Sequence, residues 1–257
     1  MTTVAEPPAD AGEAWRGNLI GELRCQLEFA RLLVDPVWRG DHVPRGQRDP
    51  VLVVPGVLTG DRSTLPLRHW LGRMNYRPER AGMELNLDCS ARALASLERR
   101  LEGLAERSES RISLIGHSRG GILSRALATR RPDLVQRVIT LGSGLADGYD
   151  ISRPLLTLIA GVRRYHDLTT DRVNRHGCMT QECRCEFGAA SRAPFPNSIE
   201  IVSVYSRQDG FANWRSSRVS YARNVEVKGS HTGLVVNRTA YRAIGLALAG
   251  RAQEIPE

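Results

Sequence analysis

Ile112-Ser113-Leu114-Ile115-Gly116-His117-Ser118-Arg119-Gly120-Gly121 decides how this chain is read. A short apolar run reaches a Gly-x-Ser-x-Gly segment, and a helical pattern from Gly121 to Thr129 follows it. A serine at such a strand-to-helix turn is forced into a strained backbone conformation that exposes its hydroxyl. Side chains two residues to either side would strike neighbouring chain, and glycine at 116 and 120 removes them. The segment has the form of a nucleophile elbow with Ser118 at its tip. A bare Gly-x-Ser-x-Gly match is a weak signal in a chain with 24 glycines. The strand before it, the helix after it, and an acid and a histidine later in the right order give it weight.

Outward from the elbow, strand and helix patterns alternate. Pro50-Val51-Leu52-Val53-Val54-Pro55-Gly56 reads as a short, wholly buried strand running into a glycine turn, as in a parallel sheet covered on both faces. Leu65 to Arg73 is helical and Met83 to Leu87 is the next strand. Cys89 to Arg107 is an amphipathic helix with Leu94, Leu97, Leu101 and Leu104 on its apolar stripe. Strands follow at Arg137–Leu141, Ile199–Tyr205 and Asn224–Val227, and a closing helix, Thr239–Ala249, turns Ile244, Leu246 and Leu248 inward. Trp15 to Val34 is a helix preceding the main fold, ended by Asp35-Pro36. The alternation breaks over residues 145–197, an insertion between core strands. The expected architecture is a single α/β domain over 1–257: a mostly parallel, doubly wound sheet with a small cap or lid at 145–197. Reactive groups gather at the carboxyl ends of such strands.

An unactivated serine is a poor nucleophile, so the chain must supply a base and a group that orients the base. Among the six histidines, His231 in Lys228-Gly229-Ser230-His231-Thr232-Gly233 lies after a strand and before the last helix, the best place for a base. His117 flanks the serine and is expected to point away from it. Asp209, just past the strand ending at Tyr205, is the carboxylate that would fix the histidine tautomer and stabilise its imidazolium; Asp171 and Asp147 are weaker candidates, and an ordinary Asp-Gly turn is the plainer reading of Asp209-Gly210. Backbone amides of Arg119 and Val57, with Leu58 as a fallback, would receive the oxyanion. The Arg119 guanidinium reads as a solvated helix-face group, or else as one presented to a substrate carboxylate or phosphate. Phe211 and Trp214 read as core or pocket wall.

Of the five cysteines, Cys25, Cys89, Cys178, Cys183 and Cys185, the odd count argues against a complete disulfide framework. Cys178, Cys183 and Cys185 crowd together near His176. Their spacing lacks the two close pairs usual in structural zinc sites, so a local disulfide or free thiols are expected, and no metal. The formal charge of +8 comes almost wholly from arginine, with Lys228 the one lysine. The arginines are scattered, with no long basic block, so no nucleic-acid partner is expected; an anionic lipid or a phosphate-bearing carrier is the alternative reading of the charge. Met1 to Ala11 holds acidic residues and two prolines and no basic segment leading into an apolar stretch. No run approaches the eighteen apolar residues of a bilayer span. A cytoplasmic protein without membrane insertion is the expectation.

With Ser118, Asp209 and His231 in that order, the chain resembles an α/β-hydrolase, and more narrowly the lipase- and esterase-like hydrolases common in actinobacteria. The likeness runs through Ala30 to Pro36, Val53 to Leu58, Asn86 to Cys89, Gly116 to Gly121, Thr140 to Ser143, the cysteine-bearing insertion, Tyr205 to Gly210 and Ser230 to Gly233. Such relatives often carry a cysteine just after the histidine, where this chain has Thr232. The resemblance implies acyl transfer without a cofactor. Ser118 would attack an ester or a thioester, the latter free or carrier-bound, and water would release the acid. The same fold also serves thioesterases, acyltransferases and lyases of polyketide pathways, including acetate elimination from an acetylated tetronate-like precursor. A binding module without catalysis is the third reading, disfavoured by the intact set of three residues.

Overall fold

The structure is a computed structural model that describes residues 15, 17–169 and 185–256. Its centre is a six-stranded, wholly parallel sheet in the order β2-β1-β3-β4-β5-β6. The strands are β1 (Pro50–Val54), β2 (Arg77–Arg80), β3 (Ile112–His117), β4 (Val135–Leu141), β5 (Glu200–Tyr205) and β6 (Arg223–Glu226). Strand alternation sends Val51, Val53 and Ile115 to one face, where they pack with Trp70, Tyr241 and Ile244. Leu52, Val54 and Leu114 go to the other, against Leu94, Leu97, Leu101, Leu123 and Leu127. Helices Leu65–Arg73 and Arg238–Leu248 cover the first face, and Ser90–Ser108 and Arg119–Arg130 the second. Each leucine so buried contributes roughly 1.5–3 kcal/mol, and with both faces covered the central strands read as unbroken apolar runs.

Two elements differ from the sequence pattern. The strand expected at Met83–Leu87 lies earlier, at Arg77-Pro78-Glu79-Arg80, and residues 84–88 form a loop that meets the loop after β1 in an isolated bridge, Asn86 to Val57. Among the described residues β2 is an edge strand whose one partner is β1, so charged side chains and a proline are tolerated there and hide it from an apolar scan. The N-terminal helix begins at Leu19, not Trp15, as a 3-10 turn, Leu19–Arg24, that passes into α-helix Cys25–Val34. Asp35 then caps the short helix Pro36–Arg39 by accepting from the Val37 amide.

The chain winds outward from β1 in both directions: β2 is laid on one side and β3 on the other. The chain leaving β1 and the chain leaving β3 therefore run to opposite sides, and the crevice where ligands bind in sheets of this kind lies between them. The loop with Val57 follows β1 and Ser118 follows β3. Between β4 and β5 the described residues include helices Arg153–Thr169 and Glu186–Arg192, which stand over this crevice. No described helix is long and apolar enough to cross a membrane.

Candidate active site

Ser118 joins β3 to helix Arg119–Arg130 with φ 53° and ψ −124°. A non-glycine residue held there stores on the order of 1–3 kcal/mol of strain. The surroundings impose it: the Ser118 amide donates to the Leu141 carbonyl at 2.8 Å and the Gly121 amide to the Ser118 carbonyl at 3.0 Å. A Cβ at Gly116 would stand 2.4 Å from Gly121 backbone, and one at Gly120 would stand 2.3 Å from the Val54 carbonyl oxygen. Those contacts are with main chain that cannot swing aside, so any larger residue would displace the turn.

His231 opens the 3-10 turn Thr232–Val236, and Asp209 follows β5. Both are buried, with His231 Nδ1 2.6 Å from Asp209 Oδ2. The other carboxylate oxygen accepts from the amides of Phe211 at 2.9 Å and Ala212 at 2.7 Å, which orients the acid before the imidazole meets it. With the Nδ1 proton committed to Asp209, Nε2 is the basic nitrogen. Burial alone would lower the His231 pKa. The charge and hydrogen bond of Asp209, with the charge of Glu22 added, outweigh burial and hold it above the ordinary imidazole value.

Ser118 and His231 line one cavity of about 320 Å³, walled by apolar side chains that include Ile122, Leu145, Leu155, Ile159, Phe187 and Phe211. No hydrogen bond joins the Ser118 hydroxyl to the imidazole in this structure. Val57 and Arg119 line the same cavity, and Gly56 comes so close that a Cβ there would stand 3.2 Å from Ser118 Cβ. Asp147 also lines it, but its carboxylate accepts from the Tyr149 amide at 2.8 Å, and Asp209 is the acid on His231. Leu58 sits just past Val57 in the left-handed region at φ 61°. Asp171, His176, Cys178 and Cys183 lie outside the described residues; Cys185 packs against buried Cys89.

One sequence expectation is corrected here and a second is extended. The Arg119 guanidinium is not a solvated helix-face group and is not left to a substrate anion. It donates to the carbonyls of Asn86 at 3.0 Å and Asp88 at 2.7 Å, to Ser90 Oγ at 3.1 Å, and to the Asn86 side chain. Asn86 in turn donates to the Pro55 carbonyl at 2.8 Å. The arginine beside the elbow thereby pins the loop after β1. His117 does not merely point away: Nε2 donates to the His231 carbonyl at 2.9 Å, with the rings 4.9 Å apart. Burial and repulsion from His231 push its pKa down to about 3, so it stays neutral and keeps the proton this bond needs.

No protein-family model matches the chain, and no curated protein matches it in sequence. Solved structures match its shape. A mature-form lipase of Bacillus licheniformis is 16% identical, with TM-score 0.55, and the match covers 80% of this chain and 93% of that one. A monoacylglycerol lipase of Paleococcus ferrophilus is 14% identical with TM-score 0.52, covering 81% and 97%. An alpha/beta hydrolase of Novosphingobium aromaticivorans is 16% identical with TM-score 0.52, covering 80% and 91%. The fold is that of the α/β-hydrolases. At such identities the likeness is one of architecture, and the chemistry rests on the site itself.

Four residues to which the sequence reading assigned no role hold this site together. Arg125, buried under the roof, donates to the carbonyls of Ala190 at 3.0 Å and Ala193 at 2.7 Å, tying helix Glu186–Arg192 to the elbow helix. Asn86 braces the loop after β1. Glu22 and Glu28 reach the histidine loop from the N-terminal helix. Burial raises the Cys25 thiol pKa, and a hydrogen bond with the Thr232 side chain opposes the rise. Nothing local marks these residues, because each acts on a segment distant in sequence.

Proposed function

We propose that the protein is a serine hydrolase of carboxylic esters or acyl thioesters. The observation that carries this reading is the Asp209-fixed imidazole of His231 facing the same apolar cavity as the strained Ser118. In the proposed cycle Ser118 Oγ attacks the acyl carbonyl carbon while His231 Nε2 takes the hydroxyl proton, and the carbonyl electron pair moves onto oxygen. The backbone amides of Val57 and Arg119 receive that oxyanion. Asp209 stays ionised and stabilises the imidazolium. Collapse breaks the bond to the alcohol or thiol, which leaves with the proton from His231. Water, activated by the same nitrogen, then releases the acid and restores Ser118. A long or absent serine–histidine hydrogen bond before substrate binds is common at such sites and tightens in the complex.

The cavity supports the substrate class. Its volume lies at the low end of ligand pockets and its walls are largely apolar, which suits a short or medium acyl chain. The acyl group would lie under helices Arg153–Thr169 and Glu186–Arg192, which act as the lid. The test is a fluorophosphonate probe with intact-mass readout. Wild type is expected to gain one adduct and Ser118→Ala none; an unlabelled wild type would remove the activated serine and with it the proposal. On p-nitrophenyl esters of graded chain length, Ser118→Ala is expected to lose on the order of 10³-fold or more in kcat. Because the base must be neutral, kcat/KM should fall as pH drops through the raised His231 pKa.

A further inference from the structure

The N-terminal helix sets two carboxylates against the loops that carry Asp209 and His231, and the proposed cycle uses neither. Glu22 is buried on the 3-10 turn Leu19–Arg24. Its Oε1 accepts from the amides of Gly210 and His231, both at 2.9 Å. Its Oε2 accepts from the amide and the hydroxyl of Thr232, again both at 2.9 Å. One rigid carboxylate thus bridges the residue after the acid and the backbone of the histidine itself. Glu28, further along, accepts from the Ser230 amide at 2.9 Å and the Ser230 hydroxyl at 3.1 Å.

The glycines of the two loops answer to this helix. Gly210 and Gly233 do not have positive φ, so backbone conformation does not demand glycine at either. A Cβ at 210 would stand 2.3 Å from the Asn18 carbonyl oxygen and 2.9 Å from Glu22 Oε1, and one at 233 would collide with Glu28 Oε2 at 1.4 Å. Asp209-Gly210 is therefore a place where a distant carboxylate comes in against the main chain, and not only a turn.

We infer that Glu22 is a positioning residue for the Asp209–His231 pair, setting the separation of their loops by accepting donors from both. The inference rests on the reading of Ser118, His231 and Asp209 as the reacting set. A 2.6 Å hydrogen bond between side chains on separate loops survives only while both loops are held to within about 0.5 Å. A misplacement of roughly 1 Å at a reacting group can cost about 10²-fold in rate. The titratable groups facing His231 are Asp209 from the loop after β5, His117 from β3 and Glu22 from the N-terminal helix. Removing the Glu22 charge lowers the preference for imidazolium, so the protonation of His231 moves to lower pH.

Glu22→Gln tests this. The amide keeps the size and one acceptor, but its NH2 must oppose either the Gly210 and His231 donors or the Thr232 amide. Labelling of Ser118 by fluorophosphonate is expected to slow about 10- to 100-fold, with the acid limb of its pH profile displaced to lower pH. With p-nitrophenyl acetate, kcat should fall and KM stay. Glu22→Asp, which keeps the charge but falls short in reach, should slow labelling and leave the limb nearer its wild-type place. A folded Glu22→Gln variant with wild-type labelling rate and pH limb would overturn the inference. If that variant does not fold, Thr232→Val, which deletes one of the four donors, should slow labelling severalfold, and an unchanged rate would overturn the inference equally. Should wild type itself fail to label, the hydrolase reading is lost, and the low-field proton resonance of the His231–Asp209 hydrogen bond decides separately. That resonance must shift or broaden in Glu22→Gln if Glu22 sets the pair, and an unchanged one refutes the assignment.

Discussion

Helix Ser90–Ser108 and the N-terminal helix over Leu19–Val34 carry the same kind of pattern, leucines and isoleucines three and four residues apart, yet they face opposite ways. In the first, Leu94, Leu97, Leu101 and Leu104 are all fully buried against the sheet, and the charged residues face water. In the second, Ile20 is 81% exposed, Leu27 62% and Val34 75%, while Glu22 and Glu28 turn inward. Apolar burial anchors one helix. The other is held largely by carboxylates on backbone amides and by Asp35, which joins Arg238 at 3.4 Å and Arg242, with Leu32 and Phe29 as its main apolar contacts. An apolar stripe shows that a helix is two-faced, and its neighbours decide which face is in.

The contrast breaks most sharply under truncation. Leu101→Ala removes a fully buried side chain from the core between helix and sheet, and urea unfolding should show a loss of about 2–5 kcal/mol. Acidification should separate the two helices at smaller cost. Burial alone would raise the Asp35 pKa, but the Val37 amide and the Arg242 and Arg238 guanidiniums outweigh it and hold the value below that of ordinary aspartate. The stability from this group is therefore present above the unfolded-state pKa of about 3.9 and is lost as pH falls through the lower folded value. Hydrogen exchange at descending pH should show residues 25–39 losing protection while residues 94–104 keep it; parallel loss in both would mean that the N-terminal helix is not held by charge. The smallest effect belongs to the outward leucines. Leu27→Ser should change unfolding free energy by no more than about 0.5 kcal/mol, whereas a cost near that of Leu101→Ala would show that the face is covered.

The same contrast explains what could be read in advance. The elbow was legible because its marks stand together in the sequence: Gly116 avoids main chain of the turn itself, and Gly120, four residues on, avoids the Val54 and Pro55 carbonyls at the end of the adjoining strand. The parallel core was legible because strands covered on both faces must be apolar throughout. Asp209 and His231, picked out by their places after β5 and before the last helix, meet in a hydrogen bond. The edge strand β2 was not, since Arg77-Pro78-Glu79-Arg80 pairs on one side only and is free to be polar. Nor were the contacts of Glu22, His117 and the Arg119 guanidinium, which meet partners 29 to 210 residues away.

Composition and order along the chain settled that a strained serine stands at a strand end within a parallel α/β sheet, because steric exclusion and two-sided burial leave marks within a few neighbouring residues. Which face of the first helix turns inward, and which carboxylates meet the histidine loop, was decided by the folded chain alone. Hydrogen bonds between remote segments obey geometry in space and leave no period or spacing in the sequence.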